Sequence, residues 1–244
     1  VYINSTNPDV SSVNGRRDGA LRAFKEYPNI EVVGIDYNLD NQEKAQAQTA
    51  AVLQANPDLK GGFGTHLVSA QGAYRAVVNA FHDAGFHVST HAIGDRAIDW
   101  VVDTYDAALM RKPTRGLRHG IIHDNTPTDH AIEVMARLQR DYDAGYPESQ
   151  AEFTWWIGDN YAGNLGPVRG LRLNPFHTYL AKGVRWANSS DYTVTPFPAR
   201  YGLWASLTRE ALIGTWGKTP FGTAEVVGIH EALRAQTIWA DMLT

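Results

Sequence analysis

The spacing of hydrophobic and polar residues alternates between two periods along the first part of the chain. Short β-branched or apolar runs, which favour strands, are followed by longer stretches whose apolar residues recur at helical spacing. We predict strands at 1–4, 30–35, 61–65, 87–90 and 118–122, and helices at 16–27, 41–55, 69–84, 97–109 and 128–140. This alternation predicts an α/β fold of parallel βα repeats, either doubly wound or closed as a barrel.

The pattern changes after about residue 142, where Trp, Gly, Asn and Pro become frequent. The string WWIGDNYAGNLGP indicates long loops near a site rather than regular elements. Periodicity then returns, and we predict strands at 152–156 and 183–187 and helices at 175–181, 202–208 and 229–242. About seven strands result, close to the eight of a βα barrel.

Composition removes several classes of function. The 244 residues carry a net charge of −4 with both signs interspersed, so we expect neither nucleic acid nor a membrane surface as a partner. The absence of cysteine excludes a disulfide scaffold, a thiol nucleophile and a cysteine-ligated zinc site. No apolar run reaches the roughly 20 residues of a membrane span.

The beginning of the chain leaves the cellular compartment open. Val1 does not begin a signal peptide, and the sequence starts directly in a predicted strand, as the interior of a longer gene would. We expect a small-molecule substrate as the partner of this protein. The oligomeric state is left open by the sequence.

Three side chains of metal-ligand type follow predicted strands: His91 in THA, His123 in IHD and Asp191 in SDY. Parallel α/β folds build their sites at the carboxyl ends of the strands. The neutral imidazoles of His91 and His123 are therefore placed to bind one divalent metal. Asp191 is placed either to complete the metal shell or to accept a proton from a water molecule that the metal activates.

Simpler interpretations exist for each histidine. A single strand-end histidine is more often a hydrogen-bonded loop residue than a ligand, and His87, four residues before His91, lies about 13 Å from it along a strand. The sequence also lacks the signatures G-x-S-x-G, G-x-x-x-x-G-K-[ST] and H-E-x-x-H of serine hydrolases, P-loop proteins and zincins. The histidines in helical stretches are interpreted as surface residues: His82, His130, His177 and His230.

Residues 80–244 resemble the YtcJ-like branch of the amidohydrolase superfamily, through HVSTHAIGDRAID (87–99), LRHGIIHDN (117–125), LNPFHTYLAKGVRWANSSDYTVTPFPARYGLWASLTREAL (173–212) and IHEALRAQTIWAD (229–241). The resemblance implies a metal-bearing βα barrel (a TIM-type barrel) that hydrolyses amide, ester or related bonds. It implies that His91 and His123 are the metal ligands of the fifth and sixth strands. Asp191 matches the eighth-strand aspartate that moves the proton.

Two further positions take roles from this resemblance. His119 falls on a recurring position beside the sixth-strand ligand, where a catalytic and a structural role are both open. Asp95 is expected to brace the turn after His91 rather than to contact substrate.

The front of the chain departs from that family. The family's H-x-H pair on the first strand does not occur anywhere in the sequence, and its fourth-strand carboxylate or carboxylated-lysine ligand is also missing. Zinc is still the expected metal, with His66 as the best recruited ligand because it follows the strand 61–65. Residues 1–74 instead resemble the second lobe of a sugar-type periplasmic binding protein, through GRRDGALRAFKEYPNIEVVG (15–34) and QTAAVLQANPDLKGGFGTHLVSAQGA (48–73).

The two resemblances together imply a fusion, or chimera. Residues 1–80 would be a flavodoxin-like half-fold of a binding protein and residues 81–244 an amidohydrolase-like half-barrel, joined in one continuous sheet or barrel. The functional hypothesis is a metal-assisted hydrolase acting on ester or amide bonds of small molecules. A sugar-binding fragment and a catalytically inert chimera are the alternatives.

Overall fold

The structure is a computed structural model that describes residues 1–214 and 222–243. The chain divides into two compact units, Val1–Ala84 and Gly85–Thr244. The sequence places this division slightly earlier, after residue 80. Each unit is an α/β arrangement around its own parallel sheet.

The first unit has three βα repeats around a three-stranded parallel sheet with the order β2-β1-β3. Its strands are β1 (Tyr2–Ser5), β2 (Gly34–Tyr37) and β3 (Gly62–Gly64), and its helices are α1 (Ser11–Lys25), α2 (Gln42–Ala55) and α3 (Leu67–Asp83). Tyr2 and Ile3 of the central strand are buried. The helices α2 and α3 pack closely at Gly72, where an added Cβ would lie 2.5 Å from the Cβ of Ala45.

The second unit has a four-stranded parallel sheet with the order β4-β5-β6-β7. The strands are β4 (Ser89–Ala92), β5 (Gly120–His123), β6 (Tyr146–Ser149) and β7 (Ala187–Asn188). The helices are α4 (Asp95–Arg111), α5 (Asp129–Tyr142), α6 (Glu152–Trp156), α7 (Gly158–Gly170), α8 (Phe176–Lys182), α9 (Arg200–Thr208), α10 (Ile229–Gln236) and α11 (Ile238–Asp241), with a short 3-10 helix at Thr223–Glu225.

The core of the second unit follows from amphipathic helices. Helix α4 buries Ile98, Val102, Tyr105 and Leu109, which recur every three or four residues and so form one face. An aromatic group completes the core, with the rings of Phe176 and Trp186 stacked at 4.9 Å. Among the residues that the structure describes, no helix combines the length and the apolar character needed to cross a membrane.

The parallel α/β class that the sequence predicts is confirmed. Several local predictions are wrong. The segment 152–156, predicted as a strand, is the helix α6, and the strand lies earlier at Tyr146–Ser149. The predicted loop after Trp156 contains α7, which is interrupted at Gly166 (φ 74°). The predicted helix 229–242 is split at Thr237.

The expectation of one continuous sheet is also corrected, because the hydrogen-bonded strands of the described residues form two sheets, while the barrel stays a prediction. The edge strand β3 ends the first sheet and the edge strand β4 begins the second. Strand β3 has three residues, and two of them are glycine. Glycine weakens a strand because it increases the conformational entropy of the unfolded chain and provides no side chain for packing. Strand β3 is therefore a poor template for a further strand.

Candidate active site

The rings of His91 and His123 meet edge to face at the carboxyl end of the second sheet. Their centroids are 4.5 Å apart and their planes are inclined by 83°. His91 lies on β4 and His123 ends β5, the strand paired with it in parallel. The structure therefore brings together the two histidines that the sequence singles out.

The register of the sheet alone would not bring these rings together. His91 is paired with Ile122, whereas His123 is paired with Ala92, so the strand period of two would place the two histidines on opposite faces. His123 instead has φ 76°, in the left-handed region. A residue in a parallel strand has a φ of about −120°. The left-handed φ of His123 therefore rotates its Cβ by roughly half a turn about the N–Cα bond. This rotation moves the His123 ring to the face of the sheet that carries His91.

Gln150 fixes the orientation of the His123 ring. Nδ1 of His123 lies 2.7 Å from Oε1 of Gln150. The Gln150 amide nitrogen donates to the carbonyl of Glu148 (2.9 Å) and to Oγ of Ser189 (3.2 Å), so Oε1 is the acceptor and His123 donates through Nδ1. Nε2 of His123 then keeps its lone pair, which is the arrangement of a metal-ligating histidine supported by an outer hydrogen bond.

A buried polar network holds the chain just after His123. Asp124 also has a left-handed φ of 46°, and the Tyr179 hydroxyl donates to its Oδ2 at 2.5 Å. Burial raises the pKa of Asp124 to about 8. The Asn125 amide donates to Oδ1 of Asn174 (3.0 Å), whose own amide donates to the carbonyl of Gln150 (2.9 Å). A left-handed backbone conformation costs about 1–3 kcal/mol, and these buried contacts offset that cost.

Asp191 lies in the turn after β7, with φ 51°, and its carbonyl accepts from the amide of Val194 at 2.7 Å. The turn is held by Thr195, whose hydroxyl donates to the buried carboxylate of Glu152 at 2.7 Å. Strand β6 lies between β5 and β7, so these two strands are separated by about 10 Å at the usual strand spacing. Asp191 therefore follows a strand that is not adjacent to either histidine strand.

The residues present fit part of a metal shell. Neutral imidazoles are zinc ligands, and the ring pair supplies two of the four donors of a tetrahedral site. Across residues 1–214 and 222–243, no three His, Cys, Asp or Glu side chains are grouped so that they could hold one metal ion. The histidine pair is thus assembled, while the expected ligation by Asp191 stays a prediction.

The other candidate residues, His119, His66 and Asp95, make contacts of their own. His119 is fully buried, and its Nδ1 accepts from the backbone amide of Val88 at 3.1 Å, which favours the structural alternative for this residue. His66 belongs to the first unit, where its Nδ1 accepts from the amide of Val68 at 3.4 Å at the start of α3. Asp95 begins α4, as expected of a residue that braces the turn after His91.

The interpretation of four histidines as surface residues is right for three of them. His130, His177 and His230 are exposed, but His82 is fully buried in α3. Its neighbours Ala76 and Val78 are buried too, so the inner face of α3 includes a polar ring that a hydrophobic pattern does not reveal.

Sequence reasoning missed Gln150, which follows β6. Placing β6 at 146–149 instead of 152–156 would have put a glutamine directly after a strand, the same position that singles out His91 and His123.

Comparison with known proteins identifies the family of this chain. The sequence profile of the amidohydrolase family matches residues 22–243. The chain belongs to the amidohydrolase family. The match begins within α1, so it includes most of the first unit, for which the sequence resemblance suggests a different parent.

Two curated relatives are each 25% identical to this amidohydrolase chain. The putative amidohydrolase YtcJ of Bacillus subtilis (strain 168) aligns over 162 residues, 66% of this chain and 29% of the relative. The N-substituted formamide deformylase of Arthrobacter pascens aligns over 191 residues, 77% of this chain and 33% of the relative. The chain thus spans about a third of the length of these relatives.

Among solved structures, an uncharacterized metal-dependent hydrolase from Pyrococcus horikoshii OT3 has a similar fold. It gives a TM-score of 0.57 at 17% identity, over 97% of this chain and 57% of that one. A periplasmic solute-binding protein from Actinobacillus succinogenes 130z, with bound D-allose, is 30% identical over 46% of this chain and 43% of its own, but the TM-score is only 0.34. That likeness is too low to support the fold, so the chimera stays a prediction.

Proposed function

We propose that this chain carries part of the active site of a metal-assisted hydrolase that cleaves ester or amide bonds of small molecules. The observation that supports the proposal most strongly is the contact between the rings of His91 and His123, at 4.5 Å, on neighbouring strands. Membership in the amidohydrolase family is the second support. The relative named N-substituted formamide deformylase favours the amide over the ester.

Each residue of the site has one task in this proposal. His91 and His123 hold a divalent metal, with zinc expected, through ring nitrogens. When bound, such an ion supplies a Lewis acid that polarises a carbonyl group and a water molecule. Gln150 keeps the proton of His123 on Nδ1, so that Nε2 is always the nitrogen that faces the site. Asp191 accepts the proton of the attacking water and returns it to the leaving group.

The turn that carries Asp191 is consistent with such a role. The hydrogen bond from Thr195 to the buried Glu152 fixes the turn at its far end, while Asp191 itself is only partly buried. A carboxylate that exchanges protons with substrate needs this combination of a fixed backbone and an accessible side chain.

Hydrolysis assays on the purified chain test the proposal. The protein is treated with a chelator and then reloaded with zinc, and p-nitrophenyl acetate and an N-aryl formamide serve as ester and amide substrates. We expect hydrolysis that is lost on chelation and restored by zinc. Asp191→Asn should lower turnover by about 10²–10⁴-fold at unchanged zinc content, whereas His91→Ala should lower the zinc content first.

Asp58→Asn, at an exposed position of the first unit, is the matched control and should leave turnover unchanged. Retention of more than about a tenth of the turnover by Asp191→Asn would remove the assigned proton transfer. Absence of zinc-dependent hydrolysis of both substrates, with binding of a sugar instead, would favour the sugar-binding alternative. Absence of both activities would favour the catalytically inert one.

A further inference from the structure

A second polar cluster, formed by His87, Ser89 and Glu148, lies beside the histidine pair on the same sheet. Ser89 precedes His91 by two residues on β4, so the two side chains share one face of the strand and lie about 7 Å apart. Oε1 of Glu148 accepts a hydrogen bond from the Ser89 hydroxyl at 2.5 Å and lies 4.0 Å from Nε2 of His87.

The position of Glu148 depends on a glycine. Glu148 belongs to β6 and reaches Ser89 on β4 across the strand β5 between them. It passes over Gly120, where an added Cβ would lie 1.7 Å from Oε1 of Glu148. Gly120 therefore leaves the space that the carboxylate occupies.

The facing atoms of His87 and Glu148 are both acceptors. Nδ1 of His87 lies 3.2 Å from the carbonyl oxygen of Leu117, and because a carbonyl only accepts, Nδ1 carries the proton. In a neutral ring Nε2 then presents a lone pair to the carboxylate 4.0 Å away. Two acceptors that face each other in this way fit a third group that brings hydrogen-bond donors or positive charge.

A cavity of about 230 Å³ opens at this cluster. His87, Glu148, Asn188 and Ser189 form its polar side, and Leu243 is among the apolar residues that line it. Among the residues that the structure describes, no lysine or arginine forms an ion pair with Glu148. The cavity thus combines a carboxylate that no lysine or arginine neutralises with an apolar wall.

We propose that this cluster binds the protonated amine of the substrate, so that the hydrolase acts on small esters or amides that carry an alkylammonium group. An ammonium group has three N–H donors and no acceptor. A nitrogen about 2.8 Å from each partner fits between acceptors 4.0 Å apart. The alkyl part packs against the apolar wall. Ser89, the member of the cluster nearest to the histidine pair along β4, lies about 7 Å from His91, and this spacing gives the order of the distance from the ammonium to the scissile bond. This substrate class depends on the proposed function, but binding of the amine itself does not.

Binding of n-butylammonium to the metal-free full chain tests this proposal without turnover. The protein is titrated at pH 8, where an alkylamine with a pKa of about 10.4 is still charged, and the ring signals of His87 are followed by NMR. We expect saturable shifts with n-butylammonium and none with 1-butanol or butyrate. Glu148→Gln, which keeps the size of the side chain, should weaken binding at least about tenfold.

Glu210→Gln, at an exposed glutamate, is the matched control and should bind as the original chain does. His87→Gln, at a partly exposed ring, is a second variant that does not alter the carboxylate and should also weaken binding. Equal shifts with butanol, or unchanged binding by a folded Glu148→Gln protein, would overturn the proposal. Because the metal-free chain is used, that result would leave the hydrolase proposal intact. Conversely, amine binding without zinc-dependent hydrolysis would support the cluster and refute the proposed function.

Discussion

His123 donates through Nδ1 to Oε1 of Gln150 over 2.7 Å, and this single contact decides which nitrogen of the ring faces the site. Gln150 is buried, and its amide protons are used by the carbonyl of Glu148 and the hydroxyl of Ser189. The glutamine cannot rotate to offer a donor without losing both bonds. The ring of His123 is therefore held in one tautomer before any ligand arrives.

Replacement of Gln150 should weaken metal binding although Gln150 contacts no metal. Gln150→Leu removes the acceptor for Nδ1–H, and we expect zinc affinity to fall by about 10–100-fold, the usual cost of losing an outer hydrogen bond to a ligating histidine. Gln150→Glu keeps an acceptor for Nδ1–H but loses the donor to the carbonyl of Glu148, so it should retain more of the zinc affinity than Gln150→Leu does. Calorimetric titration with zinc measures both, and NMR of the ring nitrogens should show mixed tautomers of His123 in Gln150→Leu alone. Equal affinities for the three proteins would contradict the assigned role.

The sequence predicts the parallel βα order and the two histidine strands because these depend on local patterns: short apolar runs, helical spacing, and ligand-type residues at strand ends. It does not predict the left-handed backbone of His123, which depends on the buried contacts of Asp124 and Asn125 with residues about 50 positions away.

Strand β6 was missed for a different reason. Its sequence, YPES, contains a proline and alternates poorly, and its burial comes from tertiary packing. With β6 misplaced, neither Gln150 nor Glu148 could be recognised.

The close approach of α2 and α3 in the first unit predicts a strong effect of one methyl group. In Gly72→Ala the new Cβ would lie 2.5 Å from both the Cβ of Ala45 and the carbonyl oxygen of Gln42, so the helices must separate. We expect the free energy of unfolding to fall by about 1–3 kcal/mol. Gly15→Ala is the control, because Gly15 lies in α1 with open space around the new methyl group. Urea unfolding followed by far-UV circular dichroism compares the two, and equal midpoints would show that this packing is not tight.

Glu152 should make the stability of the second unit dependent on pH. Burial raises the pKa of this carboxyl above its ordinary value, against a smaller opposite effect of the bond from Thr195. A raised pKa in the folded state means that the folded chain holds the proton more tightly than the unfolded chain. The resulting stabilisation is complete below the unfolded pKa of about 4.3 and is lost as the pH rises through the folded pKa.

Glu152→Gln tests this dependence because glutamine stays neutral at every pH and still accepts from Thr195. The variant should gain stability relative to the original chain as the pH rises from about 4 to 7. Urea unfolding followed by tryptophan fluorescence reports on the second unit, because all seven tryptophans lie beyond residue 85. Glu210→Gln, at an exposed glutamate, should show no such trend. If the stability gain of Glu152→Gln over the original chain became smaller with rising pH, the raised pKa of Glu152 would be contradicted.

The most direct test of the histidine pair is a zinc titration of four proteins: the original chain, His91→Ala, His123→Ala and the double variant. If both rings hold one ion, the original chain binds one zinc per molecule at this site, and each single variant loses most of the affinity. The double variant then binds no more weakly than either single variant, because the site is already lost. Independent and additive losses from the two substitutions, or zinc binding that both substitutions leave unchanged, would contradict the claim that His91 and His123 form one metal site.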